Sequence, residues 1–464
     1  MTAIVWFRRD LRVHDHPALH AALESAETVV PVFCFDDALL RGRHASGPRT
    51  QFLLECLGEL DAQLRDRGSQ LIVRRGTPER ELPALAESVG AGAVHLSADA
   101  GPFARRRQRE VRQALGSRVQ FCVHPGLFVV DRLDAIRTRD GGPYTVFTPF
   151  ERNWSTQPRR EVLAAPRRLP ALPSGVDVGT LPTLAELGLA QECAEPARGG
   201  EAPGREVLAR FLAGPVRGYD EGRDGLAGDE VSRLSPYLHF GCVSPREAED
   251  RLPRGTGGAA YRRQLCWRDF YAHVLGHFPG NAHSEFQERY RGGAIRWSRA
   301  RRRFEAWCEG RTGYPVVDAG MRQLRREGWM HNRARLVVGS FLTKDLGIDW
   351  RWGERWFMRL LLDGDEASNN GNWQWIASVG VDPQPAFRRI FNPSRQQGRF
   401  DPDGAYVRRY VPELERVPDA YLCEPWTMPS DVQERACCRI GREYPEPIVD
   451  HARARQEALD RYRV

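Results

Sequence analysis

The first 125 or so residues alternate strictly between short apolar segments and amphipathic segments, and this alternation constrains the fold more than any other feature. The apolar segments, rich in Val, Ile or Phe, are predicted strands at Ala3–Phe7, Val29–Phe35, Gln70–Arg74, Ala93–Ser97 and Val119–Val123. Helical patterns lie between them, at Pro17–Ala26, Arg49–Arg67, Pro78–Val89 and Ala104–Leu115. Such alternation predicts a parallel, doubly wound sheet with helices on both faces, which binds ligands at the carboxyl ends of its strands. No G-x-G-x-x-G follows the first strand, so the standard dinucleotide-binding motif is not expected.

The rest of the chain changes character twice. Residues from about 155 to 205 are rich in Pro, Gly, Ala and Leu and have little periodicity, which is typical of a connection between domains. Beyond it, helices are predicted at Ala260–Leu275, Pro315–Glu327, Met330–Leu346, Trp352–Leu361 and Glu366–Ser378, and Ser244 begins a capping box. We therefore predict an α/β domain over residues 1–130, an interdomain linker over 131–204 and an all-helical domain over 205–464.

Composition narrows the class of protein. The net charge is +7, and Lys344 is the single lysine among 68 basic residues, so almost every cation is an arginine fork suited to phosphate. The ten cysteines form no C-x-x-C pair, which argues against structural zinc and for reduced thiols in the cytoplasm. We expect no metal site, and no apolar run is long enough to span a membrane.

The densest chemical pattern is DGDEASNNGNWQW at residues 363–375. In a helix that starts near Asp365, the side chains of Asp365, Asn369 and Trp373 share one face. A carboxylate, an amide and an indole make a good wall for a planar, hydrogen-bonding cofactor, although a helix cap followed by core tryptophans would use the same residues.

Two weaker patterns accompany it. Asn332 and Arg335 are three residues apart and could reach one polar ligand, or could belong to a solvated first helical turn. The segments 218–223 and 231–237 offer hydroxyls and backbone N–H groups that could cradle phosphate.

Taken together, the motifs GDEVSRLSPYLHFG, LCWRDFY, TGYPVVDAGMRQL, WMHNRAR and DGDEASNNGNWQW, in this order and after an opening WFRRDLRVHDHPAL, closely resemble the photolyase/cryptochrome family. The resemblance covers nearly the whole chain and is greatest to class I cyclobutane pyrimidine dimer DNA photolyases. It implies an α/β N-terminal domain followed by an all-helical domain that binds FAD.

The resemblance also implies the FAD ligands, with Tyr219 and the 231–235 turn on the phosphate and adenosine side, Asp363 at the isoalloxazine ring and Asn369 beside the flavin N5. The full implied set is Tyr219, Val231, Ser232, Arg233, Leu234, Ser235, Arg268, Trp329, Asn332, Arg335, Asp363, Gly364, Asp365 and Asn369. Asp363 is expected to pair with Arg335, and Asp365 to hold the ring edge.

The implied activity is light-driven repair of cyclobutane pyrimidine dimers by electron transfer from excited reduced FAD to a dimer flipped out of single- or double-stranded DNA. The residues implied to contact DNA are Arg223, Gln264, Trp267, Tyr271, Asn332, Arg333, Trp375 and Gln396. Among them, Trp267 and Trp375 would pack on the dimer. Family positions further imply an electron relay through Trp373, Trp350 and Trp297 from the flavin to the surface.

Two residues depart from the family's dimer-repair pattern. Gln264 stands where a glutamate usually bonds the damaged base, and a glutamine supplies no charge. Leu336 replaces a frequent methionine. Against (6-4) repair, Asn332 stands where those enzymes carry a histidine, and His331 is one residue out of register, which suits a structural neighbour.

Several alternatives remain open at this stage. A cryptochrome-type blue-light photoreceptor is the main one, (6-4) repair is less favoured, and a non-catalytic nucleic-acid binder would not show flavin absorption. An antenna chromophore of the folate or deazaflavin type is expected near the strand ends and the Trp6–Arg12 turn. We expect a cytoplasmic monomer without membrane contact.

Overall fold

The N-terminal region is built on five parallel strands in the spatial order β3-β2-β1-β4-β5. The computed structural model describes residues 1–228, 230–381 and 384–463. The strands are β1 (Thr2–Phe7), β2 (Thr28–Phe35), β3 (Ile72–Arg75), β4 (Ala91–Ser97) and β5 (Gln120–His124). The helices of this region are α1 (Pro17–Ser25), α2 (Asp37–Leu40), α3 (Gly47–Arg65), α4 (Pro78–Ser88) and α5 (Pro102–Leu115). The predicted doubly wound parallel sheet is therefore confirmed.

Residues 131–204 form an ordered strap. Helix α6 (Phe147–Thr156) packs against the helical region, and residues 157–200 have no helix or strand. Backbone N–H groups of the strap donate to carbonyls on both sides, from Leu169 to Arg67 at 2.7 Å and from Glu195 to Arg326 at 2.8 Å. We propose that the predicted domain boundaries apply, with an α/β domain over 1–130 and a helical domain over 205–464. Residues 131–204, the strap, fasten these two domains together.

The remainder of the described chain is helical. Its helices are α7 (Glu201–Ala213), α8 (Tyr219–Gly222), α9 (Ser235–His239), α10 (Pro245–Asp250), α11 (Thr256–His277), α12 (Arg301–Glu309), α13 (Pro315–Glu327), α14 (Asn332–Ser340), α15 (Trp350–Leu360), α16 (Glu366–Ile376), α17 (Pro393–Phe400), α18 (Ala405–Tyr410), α19 (Asp419–Leu422), α20 (Ser430–Arg435) and α21 (His451–Arg461). In the described ranges, no helix is both long and apolar enough to cross a membrane. The predicted fold class, an α/β region followed by an all-helical region, is confirmed.

Local signals explain where these helices begin and end. The Ser244 hydroxyl accepts from the N–H groups of Arg246 and Glu247, as the capping box predicts. The one continuous helix predicted over Met330–Leu346 is instead α14 followed by a π-helical turn, Phe341–Asp345. The helix starts later than predicted because His331 is its N-cap.

Lys344 lies in that π-helical turn and is completely buried. Its ammonium nitrogen donates to the Ala377 carbonyl at 3.0 Å and to Ser378 Oγ at 3.2 Å, and it sits 3.8 Å from the ring centre of Tyr462. Burial, reinforced by Arg389, lowers the pKa of this lysine well below its ordinary value. The only lysine is therefore a structural residue.

Candidate functional site

The turn between α15 and α16 holds the first part of the site. Arg335 Nη2 donates to Asp363 Oδ2 at 2.8 Å, and Arg335 Nε donates to the Met330 carbonyl at 2.9 Å. The other Asp363 oxygen, Oδ1, is buried and accepts no hydrogen bond from any residue that the structure describes. The predicted Asp363–Arg335 pair is present, and it leaves one carboxylate oxygen free to accept from a ligand.

Asn369 lies one turn into α16, 8% exposed. Its Nδ2 donates to the backbone carbonyl of Glu354 on α15 at 3.0 Å, and the next residue, Asn370, donates to Glu354 Oε1 at 2.9 Å. Burial raises the pKa of the Glu354 carboxyl. These contacts fix the amide plane of Asn369, so its oxygen is presented in one direction.

Asp365 caps α16 and also joins the two regions of the protein. Its Oδ1 accepts from Ser368 N at 2.8 Å, and its Oδ2 pairs with Arg9 Nη1 at 2.6 Å. Burial alone would raise the pKa of Asp365, but the Arg9 guanidinium outweighs it and holds the pKa below the usual range. Gly364 before it has no room for a Cβ atom, which would lie 2.3 Å from Arg49 Nη1.

Hydroxyl groups gather on the side where phosphates are expected. The Tyr261 hydroxyl donates to Ser232 Oγ at 3.0 Å, and the rings of Tyr219 and Tyr261 meet edge to face at 5.2 Å. Trp329 Nε1 donates to Ser235 Oγ at 3.2 Å. In the same turn Arg233 has a φ of 52°, Val231 is half-buried and Leu234 is fully buried. This turn thus displays Ser232 and Ser235 in one place.

These residues fit FAD by their chemistry. The flavin ring carries an N–H group that matches the unpaired Asp363 oxygen, and a buried acceptor without a donor is unusual enough to indicate a missing partner. Asn332, by contrast, is exposed, and Arg268 Nη1 and Nη2 donate to the carbonyls of Leu127 and Leu238. Arg268 nevertheless lines the same cavity as Gly364 and Asp365, and Asn332 lies one helical turn before Arg335 on α14.

The three tryptophans that the family resemblance assigns to a relay lie on neighbouring segments of the helical region. Trp373 (α16) is 3% exposed and packs directly on Gly353 of α15, where an added Cβ would lie 2.1 Å from the indole Cη2. Trp350 begins α15 and is fully buried, and its indole N–H has no hydrogen-bond partner within the described ranges. A backbone bridge between Ser298 and Ile348 brings half-buried Trp297 beside this region. Trp373 and Trp350 are both buried, and Trp297 is the one of the three that is partly exposed.

The aromatic residues predicted to meet DNA lie where α11 and α16 touch. The Tyr271 ring packs closely on Gly371, and the Trp267 ring centre is 5.5 Å from that of Tyr271. Half-buried Trp375 is one helical turn beyond Gly371, with the Arg389 guanidinium carbon 4.1 Å from its ring centre. Gln264 is half-buried one turn before Trp267 on α11. Trp267 and Trp375 therefore stand on adjoining turns of two packed helices.

A second group of predicted DNA contacts forms around α17. Arg333 Nη2 pairs with Asp224 at 2.7 Å, next to Arg223, and its guanidinium carbon lies 4.3 Å from the Phe400 ring centre. Gln396 is one turn before Phe400, and its Oε1 is buried without a donor among the residues described. Arg223, Arg333 and Gln396 are thus brought together from three distant parts of the sequence.

A cavity of about 500 Å³ lies between the two regions. Its wall includes Trp6–Arg9, in the turn where an antenna chromophore is predicted, and also the residues Gly364–Ala367. Sequence reasoning missed Arg9 and Arg49, which contact the turn before α16, because their partners lie far away in the chain. Within the described residues, no group of three His, Cys, Asp or Glu side chains could hold a metal ion.

The fold and this site define an FAD-binding protein in which an α/β region is fastened to a helical cofactor region. Residues 3–173 match the family described as DNA photolyase, and residues 261–464 match the FAD binding domain of DNA photolyase. A deoxyribodipyrimidine photo-lyase of Streptomyces griseus is 44% identical, over 98% of this chain and 97% of the relative. A cryptochrome DASH of Gloeobacter violaceus is 37% identical over 97% and 93%. The chain belongs to the DNA photolyase family.

Solved structures agree with this assignment. The crystal structure of a bacterial class III photolyase from Agrobacterium tumefaciens superposes with a TM-score of 0.92 at 36% identity, covering 99% of this chain and 97% of that one. An archaeal photolyase from Sulfolobus tokodaii, crystallised with two FAD molecules, gives a TM-score of 0.84 at 32% identity over 100% and 99%.

Proposed function

We propose that this protein splits cyclobutane pyrimidine dimers in DNA under light, with reduced FAD as its cofactor. The observation that carries the proposal is the set of residues on one helix, α16. Within three turns, α16 carries Asn369 and Trp373, which we assign to the flavin, and Trp375, which we assign to the lesion. A cofactor and a lesion that share one helix are held at a short, fixed separation, which is what electron transfer requires.

Each group of residues has a distinct task. When bound, FAD supplies the light absorption and the electron for the reaction. Asp363, held by Arg335, accepts from the ring, and Asn369 presents its amide to the flavin edge. Trp267 and Trp375 stack on the extruded dimer, with each stacking contact contributing about 1–3 kcal/mol. Arg223, Arg333 and Gln396 bind the strand without reading sequence.

The decisive experiment illuminates the reduced protein with a thymine-dimer oligonucleotide and measures restored thymines by chromatography. We expect light-dependent restoration and none in the dark. If light restores no thymines while the flavin still photoreduces, the protein is instead a cryptochrome-type photoreceptor. Gln264 and the relative named cryptochrome DASH are the observations that favour that second function.

The relay predicts a separate result. Trp373→Phe should abolish photoreduction of oxidised FAD, because phenylalanine is too hard to oxidise to pass an electron onward. Trp356→Phe is the matched control: it lies on α15, its ring is covered by Arg359 at 5.5 Å, and it should photoreduce normally. Flavin bleaching under blue light measures both, and undiminished bleaching in Trp373→Phe would contradict the relay.

Two further assignments belong to this proposal. The interdomain cavity is the site we assign to an antenna chromophore, of the folate or deazaflavin type, because strand ends of a doubly wound sheet bind ligands. The protein is assigned to the cytoplasm and to the monomeric state, acting on single- or double-stranded damaged DNA.

A further inference from the structure

Trp267 is backed by a second aromatic ring that comes from the strap. The ring centres of Phe147 and Trp267 are 3.6 Å apart and their planes differ by 3°, so the two rings are in full face-to-face contact. Phe147 is 6% exposed, whereas Trp267 is half-buried. One face of the indole is therefore covered by protein.

Phe270 and Arg263 hold the Phe147–Trp267 pair in place. Phe270 meets both rings edge-on, at 5.6 Å and 82° in each case, and is 1% exposed. The Arg263 guanidinium carbon lies 5.0 Å from the Phe147 ring centre, and Arg263 Nη1 pairs with Glu151 Oε2 of α6 at 2.9 Å. These contacts fix Phe147 between α6, to which it belongs, and α11.

We propose that Phe147 is a positioning residue for lesion recognition, because its ring fixes the plane of Trp267 before DNA arrives. An exposed indole otherwise samples several rotamers, and stacking a base on it requires that freedom to be lost. A ring already held at 3.6 Å loses little further freedom. Phe147, Trp267 and the pyrimidine dimer would then form one stack of three rings.

This inference rests on the proposed function, since it assumes that Trp267 contacts the dimer. It goes beyond that function in assigning part of lesion specificity to the strap, 120 residues before the tryptophan in sequence. Because Trp267 is proposed to meet a base and not the phosphates, we expect the effect to be confined to damaged DNA.

The test measures dissociation constants of the FAD-loaded protein for a thymine-dimer oligonucleotide and for its undamaged counterpart. Phe147→Leu keeps an apolar side chain of similar size but removes the ring. It should weaken dimer binding about three- to tenfold and leave binding of undamaged DNA unchanged. Phe147→Tyr keeps the ring and should bind as the wild type does. At saturating DNA, Phe147→Leu should repair as many dimers per absorbed photon as the wild type.

Phe150→Leu is the matched control, because Phe150 is a fully buried ring on the same helix that contacts Phe270 and His273. It should lose stability without losing preference for the dimer. If Phe147→Leu fails to fold, Phe147→Met supplies the ringless variant. An unchanged dimer affinity, or an equal loss for both DNAs, in a folded ringless variant overturns the inference. If Trp267→Ala also binds the dimer normally, the proposed function of that tryptophan fails instead.

Discussion

His331 shows how a single buried residue ties stability to pH. It is 2% exposed and caps α14, with its Nδ1 accepting from Arg333 N at 3.1 Å. Burial, with help from nearby arginines, lowers the pKa of its imidazole from 6.5 to about 4. His95 and His273 are also buried, and burial lowers the pKa of both imidazoles as well. The folded protein therefore keeps these rings neutral at a pH where the unfolded chain binds protons.

The sign of the effect follows from linkage. Between pH 6.5 and 4 the unfolded state holds the extra proton, so stability is full above pH 6.5 and falls as the pH drops. For His331 alone the fall between pH 7 and pH 5 is about 2 kcal/mol. His331→Asn keeps a capping side chain without the titration, and its fall over that range should be smaller by this amount. Urea unfolding at both pH values measures the difference, and equal falls in the two proteins would refute the assignment.

At the scale of helices and strands, the sequence predicted the elements that are determined by local patterns of residues. All five strands and the helices α1, α3, α4 and α5 were predictable because apolar residues recur with period 2 or 3.6 and because caps are local, whereas the four-residue α2 was not predicted. The π-helical turn Phe341–Asp345 could not be predicted, since it depends on where Lys344 finds its acceptors at Ala377 and Ser378. The same holds for the backing of Trp267 by Phe147, a contact between residues 120 positions apart.

The packing of α15 on α16 gives a prediction at this scale. A Cβ at Gly353 would lie 2.1 Å from the Trp373 ring and 2.6 Å from Leu342 Cδ2, so Gly353→Ala forces the two helices or the indole to move. We expect a loss of about 1–3 kcal/mol of stability together with slower flavin photoreduction.

Gly58 provides the opposite case. It is an exposed glycine inside α3, and a Cβ there meets no atom within 4 Å. Gly58→Ala should therefore stabilise the protein by about 0.5–1 kcal/mol, because alanine restricts the unfolded chain. The midpoint of thermal unfolding should rise in Gly58→Ala and fall in Gly353→Ala. An unchanged midpoint in Gly353→Ala would show that α15 and α16 can move apart at little cost.

At the scale of the whole molecule, the α/β region holds the turn between α15 and α16 in place. Arg9 at the end of β1 bonds Asp365 at 2.6 Å and Asp99 at 3.3 Å, and Ser46 Oγ donates to the Arg359 carbonyl at 2.6 Å. Arg49 reaches the carbonyls of Met358 and Leu361, at either end of the segment that leads to Asp363. Two groups of residues separated by more than 300 positions thus shape one turn, which no local pattern could reveal.

Arg9→Met removes the cation between two carboxylates and keeps an apolar stem of similar length. We expect stability to fall by about 2 kcal/mol, because Asp99 and Asp365 are left facing each other. Bound FAD should also be lost more readily on gel filtration. Arg9→Lys should recover part of both properties, and a variant that retains FAD as the wild type does would show that the α/β region does not support the turn.

The burial of Lys344 has a consequence for how this protein can be studied and modified. With its one ε-amine out of reach of solvent, the folded surface offers no lysine for acetylation, ubiquitination or amine-directed crosslinking. A footprint of bound DNA based on lysine protection would therefore show no signal, whereas dicarbonyl reagents selective for guanidinium groups would report the arginines that bound DNA protects.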